Sequence, residues 1–397
     1  MHLIHIAMVG MAWLLAVVWL GKLIEAARGL ALVPKLWAAK YDIVPVGEPS
    51  IVVVVPARNE GPHVTACLNS LVAQDYGNLR VIAVDDRSTD ETGAMMDALA
   101  AESNGRLRAL HVKSLPPDWL GKTHAMAMAA QGVIGEFSPD YLLFTDADVV
   151  FEAEAVRRSL VYAVSSGADH LVVVPTTETK TWGERMMLSY LQVMSLWAVR
   201  WWKVPDPRAK RDAIGVGAFN LVRTAAYLQL GGFESVRMEI LEDLTFGRRV
   251  KAAGLRQRVA MAPGMVSVHW AAGVQGIIRG MTKNVFAVFH FQIAMLLAAA
   301  IGMLLQCVGP VGLLAFDGAR IPAAICLAAA MGLYLLSSRT SRISAAYGLF
   351  LPVAAILVVY AMVRSMAVTV IRGGVTWRGT FYPLEELRKA DAAAKLG

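Results

Sequence analysis

The chain has 397 residues, 56% of them hydrophobic, and a mean hydropathy of +0.50. That is too apolar for an ordinary soluble protein of this length. The formal charge of +7 calls for no nucleic-acid partner, because much of it flanks apolar segments where it can face anionic lipid.

The apolar excess lies at the two ends. Residues 4–20 carry no charge, and the run continues past Lys22 through Leu23 and Ile24, close to the ~20 residues that span a bilayer. The run is long and lacks a basic segment before it, which argues against a cleaved signal peptide. Lys22, Arg28, Lys35 and Lys40 follow it and no Lys or Arg precedes it. Positive-inside reasoning therefore puts the next segment on the cytoplasmic side of a cytoplasmic (inner) membrane. Cys67, Cys307 and Cys326 form neither a disulfide framework nor a metal spacing, as suits a reducing compartment.

Residues 51–55 (IVVVV) form a continuous β-branched run, the pattern of a strand buried on both faces of a parallel sheet. Val64, Leu68, Leu71 and Val72 then share one helix face. Residues 80–84 are a second strand, and Ser88 and Glu91 have the spacing of a capping box for a helix running through Ala101. Residues 107–112, 141–145 and 171–174 are further strands, with a helix at 122–131. Strands alternating with helices predict an α/β domain with a mostly parallel sheet. Residues 186–204 spread Met, Trp and Leu over much of a helical surface, fitting either an interface helix or a core helix packed on the sheet.

Three more apolar candidates follow, at 285–305, 321–336 and 345–363. Arg339 and Arg342 ask for a cytoplasmic loop before the last of these, and Arg364, Arg372, Arg378, Arg388 and Lys389 ask for a cytoplasmic tail. Both hold only if 345–363 is re-entrant or interfacial; otherwise the tail is outside. The expected division is an anchor and basic linker at 1–41, a catalytic domain at 42–283, a membrane region at 284–372 and a tail at 373–397.

In such sheets, ligands bind beyond the carboxyl ends of the strands. Polar clusters stand at those ends: Pro56-Ala57-Arg58-Asn59-Glu60, Asp85-Asp86-Arg87-Ser88 and Asp146-Ala147-Asp148. A lone Asp-x-Asp often caps a helix or is simply solvated. Three carboxylate-rich clusters at one sheet edge repel each other unless cations or donors converge there. Mg²⁺ or Mn²⁺, held by one or two carboxylates and a substrate diphosphate, fits that pattern.

The ordered motifs "VVVVPARNE", "VIAVDDRSTDET", "LLFTDADV" and "GGFESVRMEILEDLTFGRRVKAAG" resemble the family 2 glycosyltransferases over residues 48–270. The resemblance implies a GT-A fold, a Rossmann-like and mostly parallel α/β sheet, here flanked by N- and C-terminal transmembrane helices. It also implies a nucleotide-sugar donor. Carried over by position, Pro56, Arg58 and Glu60 border the nucleotide, with Glu60 near the ribose or base. Asp85 or Asp86 contacts the uracil edge and Asp146 lies near the ribose. Asp148 ligates the metal that bridges the diphosphate, and Asp243 is the catalytic base. An inverting transfer needs a carboxylate to take the acceptor's proton, and a metal to stabilise the leaving diphosphate. Asp243 could instead cap its helix, and Glu242 beside it could fill either role.

"LPPDWLGKTHAMAMAA", "GVGAFNLVRTAAYLQLGGFE" and "GGVTWRGTFYP" resemble the membrane-anchored members that act on lipids: ceramide-glucosyltransferase-like, hopanoid-associated and carotenoid-associated enzymes. Ceramide-type members carry Gln/Arg-x-x-Arg-Trp after the base. Here "GIIRG" supplies Arg279 without the Gln or the Trp. Arg279 and Lys283 are candidates for phosphate contact, or else mark where a helix enters the membrane. Gly121-Lys122-Thr123 is no P-loop, because Pro116 stands where its first glycine belongs; Lys122 remains a candidate phosphate contact. His269, after the strand-like "MVSV", is a candidate third metal ligand or a structural residue. The expected function is hexose transfer from a nucleotide sugar such as UDP-glucose to a lipid hydroxyl. The alternatives are a processive polysaccharide synthase and a non-catalytic, nucleotide-sugar-binding membrane subunit.

Overall fold

A computed structural model describes residues 2–396, which divide into two compact units. One comprises residues 33–178, 202–270 and 376–396; the other comprises residues up to 32, 179–201 and 271–375.

Before its tail, the first unit holds ten described strands: β1 (Ile51–Ala57), β2 (Leu79–Asp85), β3 (Leu107–His111), β4 (Tyr141–Phe144), β5 (Val149–Phe151), β6 (His170–Val174), β7 (Thr176–Thr177), β8 (Asn220–Arg223), β9 (Gln257–Met261) and β10 (Val266–Val268). Seven form one sheet in the order β3-β2-β1-β4-β8-β6-β9, and β5-β10-β7 form a second. In the large sheet only β8 runs against its neighbours β4 and β6. This is the expected mostly parallel α/β architecture.

The β-branched run of β1 is buried throughout. Ile51, Val53 and Val55 pack into one hydrophobic cluster with Val64, Leu68 and Leu71 of the Gly61–Val72 helix. Val52 and Val54 face the other cluster, with Ala125, Met126, Ala129 and Val133 of the Gly121–Phe137 helix. A strand covered on both faces has no use for alternating polar residues, hence the unbroken valines.

Two local expectations are corrected. The helix after β2 begins at Thr92, with no capping box from Ser88. The Ser88 hydroxyl instead accepts the Asn59 N–H (3.0 Å), and its own N–H goes to Asp85 (3.0 Å). Asp90, one residue before the N-cap Glu91, accepts from Thr92 N (3.1 Å) in a local side-chain turn. The segment at 285–305 is not one straight span. It divides into helices Gly273–Val288 and Ile293–Cys307, bent by 119°. His290 and Phe291 between them sit at positive φ (54° and 55°), a conformation that ends a right-handed helix.

In the second unit, three stretches are long and apolar enough to cross a membrane by length and composition: His5–Leu30, Arg320–Ser341 and Ala345–Arg372. The bent pair adds a fourth if it is counted as one. The helix Trp182–Ala198 also clusters in this unit, so it is not a core helix of the sheet. Its N-terminus carries a true capping box, Thr181 with Glu184. The buried Glu184 carboxylate also accepts the Gly273 N–H (2.7 Å).

Candidate active site

The parallel registers align Ala57 with Asp85 and Asp85 with His111, so β1, β2 and β3 stop at a common edge. Pro56 is buried within β1, and the loops beyond the edge bind one another. Asn59 Oδ1 accepts Thr89 N (2.8 Å), and Glu60 N donates to Thr92 Oγ1 (2.9 Å). Asn59 and Arg87 both sit at positive φ (55° and 57°), which turns each loop sharply. Asp86 is buried and receives Arg87 in a fork, at 2.8 and 3.2 Å. Asp85 accepts Ser88 N and faces His111 Nδ1 (3.2 Å), while His111 Nε2 meets Asp97 (3.0 Å). Those two carboxylates, Asp97 first, raise the His111 imidazole above its usual range.

The centre of the site is Lys122, in the first turn of the Gly121–Phe137 helix. Its Nζ lies 2.5 Å from Asp146 Oδ1 and 2.6 Å from Glu242 Oε1. Burial pulls this ammonium down, but Asp146, Glu242 and Asp243 outweigh it and the net shift is upward. Burial pushes the Glu242 carboxyl up, against the opposing pull of Lys122. Asp243 follows Glu242 in the Glu242–Ala252 helix and is half-buried. Its Oδ1 accepts the Leu244 N–H at 2.7 Å. Lys122, Gly217, Asn220, Glu242 and Asp243 line one pocket.

Glycines make this convergence possible. A Cβ at Gly217 would lie 2.5 Å from Asp146 Oδ2, and one at Gly215 only 1.8 Å from the Asp243 carbonyl oxygen. The buried Gln257 amide ties the same segment down. Its Nε2 donates to Ile214 O (2.9 Å) and Gly247 O (3.1 Å) and meets His170 Nδ1 (2.9 Å). The helix that carries Asp243 is thus fixed to β9 and β6 through one side chain.

Asp148 sits in the turn between β4 and β5. Burial above all, then the charges of Asp146 and Glu60, push its carboxyl up to about 7. A carboxylate held this way is stabilised by an added cation. Val268 pairs with Val149 in the antiparallel β10–β5 ladder, so His269 comes opposite Asp148 one residue beyond it. Among the described residues no three His, Cys, Asp or Glu side chains gather closely enough to form a ready-made cage, so Asp146, Asp148 and His269 are not assembled as one. The donor set fits a Mg²⁺- or Mn²⁺-type ion that relies on one or two carboxylates and on substrate phosphate. Arg279 belongs to the other unit and is exposed on the Gly273–Val288 helix, with Nε turned to the Gln275 carbonyl of the same helix (3.4 Å).

The model of glycosyl transferase family 2 matches residues 52–229, from β1 to the helix after β8. The chain is a glycosyltransferase with a family 2 domain. The glycosyltransferase is 25% identical over 277 residues to the 4,4'-diaponeurosporenoate glycosyltransferase of Staphylococcus aureus (strain bovine RF122 / ET3-1), covering 69% of this chain and 71% of the relative. The enzyme of the same name from Staphylococcus haemolyticus (strain JCSC1435) is 24% identical over 283 residues, with 67% and 71% covered. Among solved structures, a mannosyltransferase of Pyrobaculum calidifontis, in complex with GDP-Man and Mn²⁺, superposes with a TM-score of 0.53 at 19% identity. That match covers 92% of this chain and 99% of the other, and it supports a GT-A fold.

Sequence reasoning missed several residues that position this site: Gly215 and Gly217, Gln257, and Arg378, Thr380 and Tyr382 of the tail. The glycine pair in "GVGAFN" was the available signal for the first two. The tail residues lie far away in sequence, and nothing local ties them to the loop after β1.

Proposed function

We propose that the enzyme is a membrane-held inverting glycosyltransferase that moves a hexose from a nucleotide sugar, UDP-glucose or similar, to a hydroxyl of a lipid. The observation that carries this reading is the division of labour between Glu242 and Asp243. Glu242 is buried and paired with Lys122, whereas Asp243 faces the same pocket with its carboxylate largely uncommitted. A general base must reach the proton it takes, and Asp243 is the residue so disposed. Lys122 lies where an ammonium can meet the donor's phosphates, and it holds Asp146 in place meanwhile. Asp148, with Asp146 and His269 as the other candidates, would hold Mg²⁺ or Mn²⁺, which supplies Lewis-acid stabilisation of the leaving diphosphate. Arg58, Glu60, Asp85 and Asp86 border the nucleotide, and Arg279 is a candidate phosphate contact. The relatives are named for diaponeurosporenoate, a carboxylate, and a carboxylate has no proton to lose at neutral pH. A waiting base favours a hydroxyl instead.

We infer the orientation from the packing of the apolar unit. A Cβ at Gly318 would lie 3.2 Å from Val9 Cγ2, and one at Gly332 2.7 Å from Leu23 Cδ2, so Arg320–Ser341 runs parallel to the first helix. The tail beyond 376 packs within the unit that bears the donor loop. The chain between 270 and 376 then crosses an even number of times: outward at Ile293–Leu313 and back at Arg320–Ser341. Leu351–Arg372 lies along the interface, which leaves Arg339, Arg342, Arg364 and Arg372 on the cytoplasmic side, as positive-inside reasoning asks.

The reading is tested by incubating purified enzyme with a panel of UDP-sugars, Mn²⁺ and total membrane lipid, followed by mass spectrometry. A new glycolipid, one hexose heavier than its parent, is expected. Free sugar or a polymer as the only product would contradict it.

A further inference from the structure

The tail reverses direction at Arg378-Gly379, between strands Gly374–Trp377 and Thr380–Pro383. Both turn residues have positive φ (47° and 80°), the geometry of a tight two-residue hairpin. Asn-Gly or Asp-Gly is the usual pair there, and a bulky residue at positive φ is an outlier that points to a purpose other than turning. The Arg378 guanidinium donates to the Arg58 carbonyl and to a Glu60 carboxylate oxygen. Thr380 Oγ1 in turn accepts from Arg58 Nη1 (3.3 Å), and the buried Tyr382 hydroxyl accepts the N–H of Gly121 (3.3 Å), next to Lys122. Three tail side chains thus reach the two segments that border the donor, the loop after β1 and the start of the Lys122 helix. Arg58 Nε is buried without a hydrogen-bond partner.

We propose that the tail completes the donor site, with Arg378 as a positioning residue that holds Arg58 and Glu60 in the shape that accepts a nucleoside diphosphate. This rests on the reading of the loop after β1 as the donor loop. Without Arg378, Glu60 adds its charge to that of Asp146 and Asp148, and the loop loses the clamp on its carbonyl. The loss falls on donor affinity and not on the chemical step, because Asp243 is carried by other elements.

The test uses the full-length enzyme in detergent, titrated calorimetrically with UDP and, separately, with GDP in the presence of Mn²⁺. Turnover is then measured against donor concentration. Arg378→Gln is expected to weaken binding of the preferred nucleotide about tenfold to a hundredfold and to raise donor KM in step, the usual worth of a charge-assisted hydrogen bond. The kcat should change little, and Arg378→Lys should recover part of the affinity by restoring the charge. Thr380→Val, which removes only the hydroxyl that Arg58 reaches, should give a smaller loss of the same kind. If Arg378→Gln binds nucleotide as well as wild type or more tightly, or if it lowers kcat with donor KM unmoved, the proposal is overturned while the donor site stands. If wild-type enzyme binds neither nucleotide, the donor-loop reading falls and takes this proposal with it. Should Arg378→Gln fail to fold, Arg378→Lys and Thr380→Val carry the test, and unchanged donor KM in both would overturn it.

Discussion

The ammonium of Lys122 lies 2.6 Å from Oε1 of Glu242, so of two adjacent carboxylates at a helix start one is already paired and buried. Glu242 is therefore a partner for Lys122. Glu242→Gln keeps the shape and removes the charge, leaving Lys122 with Asp146 and the charge of Asp243. A destabilisation of about 1–3 kcal/mol is expected, with the chemical step retained in the folded fraction. Thermal unfolding with single-turnover kinetics on the same preparation checks it. A folded Glu242→Gln enzyme that bound donor but transferred nothing would make Glu242 the base.

Gly215 is required by the approach of backbone to backbone. A methyl group there would meet the Asp243 carbonyl at 1.8 Å, and neither partner is the end of a flexible side chain. Gly215→Ala should displace the start of the Glu242–Ala252 helix and cut turnover at least about 10²-fold, the cost of misplacing a catalytic group by roughly an ångström. Donor binding should fall much less. Steady-state kinetics beside nucleotide titration separate the two effects, and a Gly215→Ala enzyme of ordinary rate would refute the contact.

His170 supplies a pH dependence. It is fully buried and hydrogen-bonded to Asn220 and Gln257, and burial pulls its imidazole down to about 4. Below the unfolded value near 6.5, the unfolded chain takes up a proton that the folded one refuses. The stability due to this group is therefore whole above about pH 6.5 and is lost as pH falls towards 4. The loss reaches about 3 kcal/mol. Melting temperatures between pH 7 and 4 should fall more steeply in wild type than in His170→Gln, and equal slopes would contradict the burial argument.

The orientation is testable with two engineered cysteines, since the three native ones are buried. Ala101→Cys and Ala393→Cys, both at exposed positions, should be protected together from an impermeant reagent in intact cells and labelled together after the membrane is opened. Labelling of Ala393→Cys alone in intact cells would mean that Leu351–Arg372 crosses.

Much of the fold was legible because its signals are local. An unbroken β-branched run marked β1, and turn clusters marked where β1, β2 and β4 end. β8 was missed because four residues, Asn220–Arg223, run straight into a helix, and β9 because Gln257–Met261 mixes polar and apolar residues without a period. The acidic clusters at the edge were readable in the sequence. Their partners were not, because Lys122 reaches Glu242 across 120 residues and Arg378 reaches Glu60 across 318. Such pairings are set by how the strands order themselves, which periodicity does not encode. The bend at His290 and Phe291 was hidden for another reason: an apolar run looks the same whether its helix is straight or broken.

The assignment of Asp243 as general base rests finally on one comparison. Asp243→Asn preserves the shape of the side chain and its bond to Leu244 N while removing the basic group. Single-turnover transfer under saturating donor and acceptor should slow by about 10²–10⁴, or roughly 3–5 kcal/mol of transition-state stabilisation. Nucleotide affinity should be unchanged, whereas Asp148→Asn, measured alongside, should lose metal-dependent nucleotide binding together with rate. Transfer by Asp243→Asn at near the wild-type rate would contradict the base, and with it the hydroxyl acceptor.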